Sequence, residues 1–206
     1  MPLNRIFALT VAIDKYQSDE IHDLHQCLND ATLFQTYLLE RFSKLQLHIC
    51  SIYNEAATRR AILSEFRSHL IDNTDVNTGD ALIFYFAGHG CRVTAPVGWS
   101  TRDGEIETIC PYDKLTLVDG TQYDMVPGIP DLTIASLLHE LSRKRGGNVT
   151  VILDSCHSGG GGGGGEHAGQ KAEHSSAVAH LAHLIARSRS RISTGIYGLM
   201  KLLSWN

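Results

Sequence analysis

No Cys-x-x-Cys pair occurs in this chain, and its five cysteines (Cys27, Cys50, Cys91, Cys110 and Cys156) are odd in number and widely spaced. That pattern argues against a disulfide framework or a structural zinc site and leaves reduced thiols in a cytosolic setting. Most are expected to be small buried hydrophobes, with a reactive loop context only at Cys156. No apolar run approaches the roughly 20 residues of a membrane-spanning helix, and no signal-peptide pattern is read at the start. Neither sign of charge dominates: 18 Lys and Arg against 22 Asp and Glu give a net charge of −4. This weighs against nucleic acid and against a membrane surface as partners. The expectation is a cytoplasmic protein. Hydrophobic residues fill 43% of the 206 positions, enough for one domain with a sizeable core and an appendage.

Two stretches carry chemistry. Residues 149–159 read Val-Thr-Val-Ile-Leu-Asp-Ser-Cys-His-Ser-Gly. An apolar β-branched run ends abruptly at Asp154, Ser155 and Cys156, as a buried strand does when it delivers a residue to the carboxyl edge of a sheet. Residues 81–86, Ala-Leu-Ile-Phe-Tyr-Phe, form a second such strand, which ends in Ala87, Gly88, His89 and Gly90. One strand tip carries a cysteine and the other a histidine. Nucleophilic catalysis by cysteine needs that pair, because the imidazole favours the thiolate and then shuttles a proton.

The rest of the chain supplies the frame. Residues 6–13 form a short apolar strand that stops at Asp14. Residues 29–42 place Leu33, Phe34, Tyr37, Leu38 and Phe42 at helical spacing, with Asn29 as the cap. Residues 45–53 alternate apolar and polar as a strand. Thr58 caps a second helix running to about Asp72, with Ile62, Leu63, Phe66 and Leu70 inward. Residues 77–80 make a turn. Between 91 and 130 glycine, proline and short polar runs take over, with a candidate strand at 105–110; the length marks a functional loop with a small hairpin. A third helix starts at Asp131 or Thr133, sets Ile134, Leu137, Leu138 and Leu141 on one face, and ends at Gly146 and Gly147. The alternation of strands and helices predicts a doubly wound, mainly parallel sheet. Residues 159–165 are a run of seven glycines, by composition a tether. The tail at 166–206 has a weak helical pattern and a basic stretch at Arg187, Arg189 and Arg191. His180 and His183 would share a helix face there, but no carboxylate is in register, so no metal site is assigned.

The strings Phe84-Tyr85-Phe86-Ala87-Gly88-His89-Gly90 and Ile152-Leu153-Asp154-Ser155-Cys156-His157-Ser158-Gly159 together resemble the caspase-like cysteine peptidases, specifically the metacaspases, with fungal members nearest. Gln26-Cys27-Leu28-Asn29-Asp30-Ala31 and Ile106-Glu107-Thr108-Ile109-Cys110-Pro111-Tyr112-Asp113 extend the resemblance over roughly the first 160 residues. It implies an α/β fold, a caspase-like three-layer sandwich with a mainly parallel sheet flanked by helices, its small-subunit half largely missing. Residues 1–158 would be the large-subunit domain, 159–165 a linker and 166–206 a tail. The resemblance makes Cys156 the nucleophile, His89 the general base and acid, and the backbone N–H groups of Gly90 and Cys156 the oxyanion hole. Asp30 and Asp154 match carboxylates of the specificity pocket, and two carboxylates favour a cationic side chain. The expected substrate is a peptide or protein cut after Arg or Lys, and no cofactor is expected.

Three departures from the family pattern bear on this reading. Ala87 stands where metacaspases often carry a serine. Ile106 and Pro130 occupy two aspartate positions of the family's calcium site, leaving Asp131, a poor cage for a cation that wants six to eight oxygens. The chain has 50 residues after Cys156 (206 − 156), without a convincing strand pair, where the family continues into a small subunit. The rival reading is an inactive caspase-like interaction module that binds a small-subunit-bearing paralogue through an open sheet edge. A redox thiol protein is the weaker third, since no resolving cysteine stands near Cys156. Residue by residue, Cys156 could be a buried structural thiol, Asp154 a loop-orienting residue, and Asp30 a charge favoured by the helix dipole.

Overall fold

The strand β1 (Arg5–Ala12) is buried along almost its whole length, as a central parallel strand must be when both faces of its sheet are covered. In the computed structural model, which describes residues 5–101, 103–118, 125–155 and 157–158, β1 pairs in parallel with β2 (Gln46–Tyr53) on one side and β3 (Ala81–Ala87) on the other. β3 pairs in parallel with β7 (Val149–Asp154), giving the order β2-β1-β3-β7. Side chains alternate across this sheet. Phe7, Leu9, Val11, Leu82, Phe84 and Phe86 enter one core, with Ile62, Phe66, Leu70, Ile134, Leu138 and Leu141. Ile6, Ala8, Ala12, Ile83, Tyr85 and Ala87 enter the other, against Ala31, Phe34 and Leu38. The result is the expected three layers. Helix α1 (Cys27–Arg41) covers one face, and α2 (Arg59–Glu65) and α3 (Asp131–Arg145) cover the other.

Several boundaries differ from the expectation for physical reasons. Asn29 does not cap α1; it lies inside the helix, which starts at Cys27. The cap comes from Asp14, whose carboxylate accepts the N–H of Cys27 at 2.9 Å and of Leu28 at 3.3 Å. Leu33 and Tyr37 fit the helical spacing but are exposed, at 57% and 37%. Small residues on the sheet (Ala8, Ala12, Ala87) bring α1 so close that Ala31, Phe34 and Leu38 suffice to fill the contact. Thr58 caps α2 as expected, its Oγ1 accepting from Ala61 N at 3.2 Å. Beyond Glu65 the helix widens into a π-turn at Phe66–Ile71. The wider turn carries Phe66, Leu70 and Ile71 all into the core, each at 0% exposure. Gly146 ends α3 at φ 104°, a conformation open to glycine.

The stretch from 91 to 130 holds more than a hairpin. β4 (Gly90–Thr94) and β5 (Glu105–Ile109) pair antiparallel, and β6 (Ile129–Pro130) extends them. β8 (His157–Ser158) joins the other edge of β4 in parallel, forming a second small sheet ordered β6-β5-β4-β8. Among the described residues no helix is long and apolar enough to cross a membrane. Cys156, the glycine run at 159–165 and the tail at 166–206 lie outside the described residues.

Candidate active site

The carboxyl ends of β3 and β7 are neighbours. Ala87 sits opposite Asp154 in the parallel register, and Gly88 N–H donates to the Asp154 carbonyl at 3.1 Å. The chain then leaves β7 and returns as β8, where His157 pairs with Gly90. Residues 155 and 157, on either side of position 156, therefore flank the loop that carries His89.

His89 is held at three points. Its N–H donates to the Tyr16 hydroxyl at 2.8 Å, its carbonyl accepts from Cys110 N–H at 2.9 Å, and its ring Nε2 lies 2.8 Å from the His22 carbonyl oxygen. The loop bearing Tyr16 and His22 is itself fastened. Asn54 Oδ1 accepts from Asp14 N–H at 2.9 Å and Lys15 N–H at 3.1 Å, Asp23 pairs with Lys15 at 2.7 Å, and Gln17 N–H reaches the Tyr112 carbonyl at 3.0 Å. Burial raises the Tyr16 phenol far above its ordinary pKa, so it remains a neutral hydroxyl beside the imidazole. Gly88 fits closely here: a Cβ would come within 3.0 Å of the Phe86 ring and 3.1 Å of the Tyr16 hydroxyl.

Gly90 also has a defined orientation. Because the His89 carbonyl accepts from Cys110, residues 89 and 110 form a hydrogen-bonded pair. Antiparallel pairing alternates, so the N–H and C=O of Gly90 turn away from β5 and toward the β8 side. That is the side from which position 156 is approached.

The acidic residues Asp30 and Asp154 lie toward the α1 face of the sheet. Tyr85, Ala87 and Ile152 all pack on that face, and Asp154, two residues beyond Ile152, shares it. The first turn of α1 faces it with Cys27 and Asp30. The Asp154 carboxyl is pushed up, first by desolvation and then by the charge of Asp30. The Cys27 thiol is pushed up to about 12 by burial and by Asp14, with Asp154 and Asp30 adding to it. Cys27, Cys50 and Cys91 are only partly buried and Cys110 alone of the described four is fully so, which corrects the expectation that most cysteines are buried. Among the described residues the Tyr85 hydroxyl and the Ser155 hydroxyl are enclosed without a hydrogen-bond partner. Ala87 is fully buried on the same face as Tyr85.

The sequence reading missed Asp14, Tyr16 and His22. Asp14 had a signal, as the polar stop of an apolar strand. His22 acts through its backbone, which no residue pattern marks. The positions that the resemblance assigns to calcium carry few free oxygens. Ile106 is buried at 7% exposure, Pro130 is a strand residue, and Asp131 Oδ1 is engaged by Leu132 N–H at 2.7 Å. Among the described residues no three acidic, histidine or cysteine side chains converge on a metal position. A cavity of about 470 Å³ lined by Arg59, Arg60, Arg67 and Asp113 does not include His89, Asp30 or Asp154.

Residues 7–161 match the family described as metacaspase, peptidase C14 domain. The chain belongs to the metacaspase family. Metacaspase-4 of Arabidopsis thaliana is 30% identical over 146 residues, covering 66% of this chain and 30% of the relative. Metacaspase-1 of Schizosaccharomyces pombe, a fungal member, is also 30% identical over 146 residues, covering 67% and 31%. The chain thus spans about a third of the length of these curated relatives. A crystal structure of protein GSU0716 from Geobacter sulfurreducens aligns with a TM-score of 0.56 at 22% identity, covering 76% of this chain and 52% of that one, which supports the fold. Metacaspases are cysteine peptidases, and the paired strand tips described above lie inside the matched region.

Proposed function

We propose that this metacaspase domain is a cysteine-type endopeptidase that cleaves after Arg or Lys, with Cys156 as nucleophile and His89 as general base and acid. The observation that supports it most is the register around position 156: Ala87 opposite Asp154 on one side and Gly90 opposite His157 on the other. In this reading the Cys156 thiol gives its proton to His89 Nδ1, and the sulfur attacks the scissile carbonyl. The N–H groups of Gly90 and Cys156 hold the oxyanion. His89 returns the proton to the departing amine, and a water then hydrolyses the thioester by the same route. Asp30 and Asp154 receive the cationic side chain that precedes the cut. No step is routed through calcium.

The outer edge of the main sheet supports a partner. β7 is the outer strand of the main sheet among the described residues. A small-subunit-bearing paralogue would add a strand along it and complete the pocket wall.

The test uses a peptide ending in arginine coupled to a fluorophore, with a thiol-directed, arginine-bearing inhibitor as a second readout. The native chain is expected to cleave the peptide and to be labelled at Cys156. Cys156→Ala is expected to do neither. Equal cleavage by both chains, or the absence of both cleavage and labelling in the native chain, would overturn the reading.

A further inference from the structure

Antiparallel pairing of β4 and β5 sets Cys91 opposite Thr108, and Cys110 follows two residues on, on the same face. The two cysteines are 19 residues apart in sequence, yet their sulfurs lie 3.6 Å apart. The Thr108 hydroxyl is 3.0 Å from the Cys91 sulfur. Cys91 is partly buried and so within reach of a small solute, while Cys110 is buried.

We propose that Cys91 and Cys110 are a peroxide-reactive dithiol, with Cys91 as the attacking thiolate and Cys110 as the resolving thiol. This goes beyond the peptidase reading and does not depend on it. Hydrogen bonds from the Cys110 thiol and the Thr108 hydroxyl, with the Lys114 ammonium nearby, lower the Cys91 pKa well below that of a free thiol. The same contact raises that of Cys110, so one proton is shared unequally and the outer sulfur carries the charge. The Cys91 thiolate attacks the O–O bond of a hydroperoxide, forming a sulfenic acid and releasing an alcohol or water. The Cys110 thiol then displaces the sulfenic hydroxyl as water and closes the disulfide. The two sulfurs lose two electrons and the peroxide gains them. The sulfurs have about 1.5 Å left to close before reaching the bonded length. The bond would tie together the backbone just after Gly90 and the residue whose N–H holds the His89 carbonyl.

The experiment treats the full chain with hydrogen peroxide, blocks remaining thiols and maps peptides by mass. The expected product is a Cys91–Cys110 cross-link lighter by two hydrogens, reversed by dithiothreitol, while Cys50 stays free. In Cys110→Ser the reaction is expected to stop at a Cys91 sulfenic acid that dimedone traps. Cys91 and Cys110 both free after peroxide has oxidised other cysteines, or equal dimedone trapping at Cys91 with and without Cys110, would overturn the proposal. Because the readout is chemical, it stands apart from any failure of peptide cleavage.

Discussion

The Nε2 of His89 lies 2.8 Å from the carbonyl oxygen of His22. A carbonyl only accepts, so Nε2 carries the hydrogen, and in the neutral ring the lone pair is then on Nδ1. The contact therefore selects, in the neutral ring, the tautomer that the proposed general base would need, and it turns Nδ1 away from the His22 loop. His89→Ala is expected to lower kcat/KM for an arginyl peptide by about 10²–10⁴-fold, with little change in Tm because the ring is partly exposed. His22→Ala is expected to stay close to the native rate, since the backbone oxygen does the work. A large loss in His22→Ala would show that its side chain matters and that this account of the tautomer is wrong.

Gly88 couples the fold to the same histidine. Its added Cβ would press on Phe86, a fully buried ring, and on the Tyr16 hydroxyl that accepts the His89 N–H. Crowding of this kind costs about 1–3 kcal/mol. Gly88→Ala is expected to lower the unfolding free energy by that amount, read as a lower urea midpoint. It is also expected to lower kcat/KM under conditions where the variant is still fully folded. An unchanged midpoint would mean that Phe86 has room to move.

Asp14 acts at a distance in sequence. Its carboxylate holds the first two N–H groups of α1, the turn that presents Cys27 and Asp30. Losing a helix cap costs about 0.5–2 kcal/mol. Asp14→Ala is expected to lose stability in that range and to raise KM for the arginyl peptide more than it lowers kcat. Asp14→Asn keeps an accepting oxygen and is expected to recover most of the stability. If the asparagine variant is no better than alanine, the charge and not the cap is what counts.

What could be read from the residues follows from how each element is stabilised. β1 and β3 announced themselves because core parallel strands are apolar on both faces, β7 keeps an apolar β-branched run although it is a half-buried outer strand, and the two strings of the proposed catalytic pair sit at the ends of β3 and β7. The small sheet was not legible. β6 and β8 have two residues each, too few for any period, and β4 opens on a glycine. The start of α1 was misread because its cap lies 13 residues before it. The Cys91–Cys110 contact exists only once β4 and β5 pair, so spacing alone gave no hint of it. Asp30 and Asp154, by contrast, were picked out by resemblance, and the fold brings them within range of one another's charge.

That mutual charge gives the proposed acidic pocket opposite demands for stability and for function. Desolvation, and then Asp30, raise the Asp154 pKa above its unfolded value. The fold therefore favours the neutral acid. The stabilisation from this group is fully present below the ordinary carboxylate pKa and is lost as the pH rises through the raised folded value. At neutral pH ionising Asp154 works against the folded state, by less than full burial would cost because the residue is exposed, and in the proposed function a cationic substrate side chain would relieve it. Asp154→Asn is expected to raise Tm at neutral pH, and the gap to the native chain is expected to close as the pH falls. The same variant is expected to lose arginyl-peptide cleavage, and the native chain is expected to lose it on acidification as Asp154 takes up its proton. Thermal melts across the acidic range, paired with kcat/KM on arginyl and neutral peptides, separate the two effects. An Asp154→Asn chain that is less stable at neutral pH, or that keeps its preference for arginine, would remove Asp154 from the pocket.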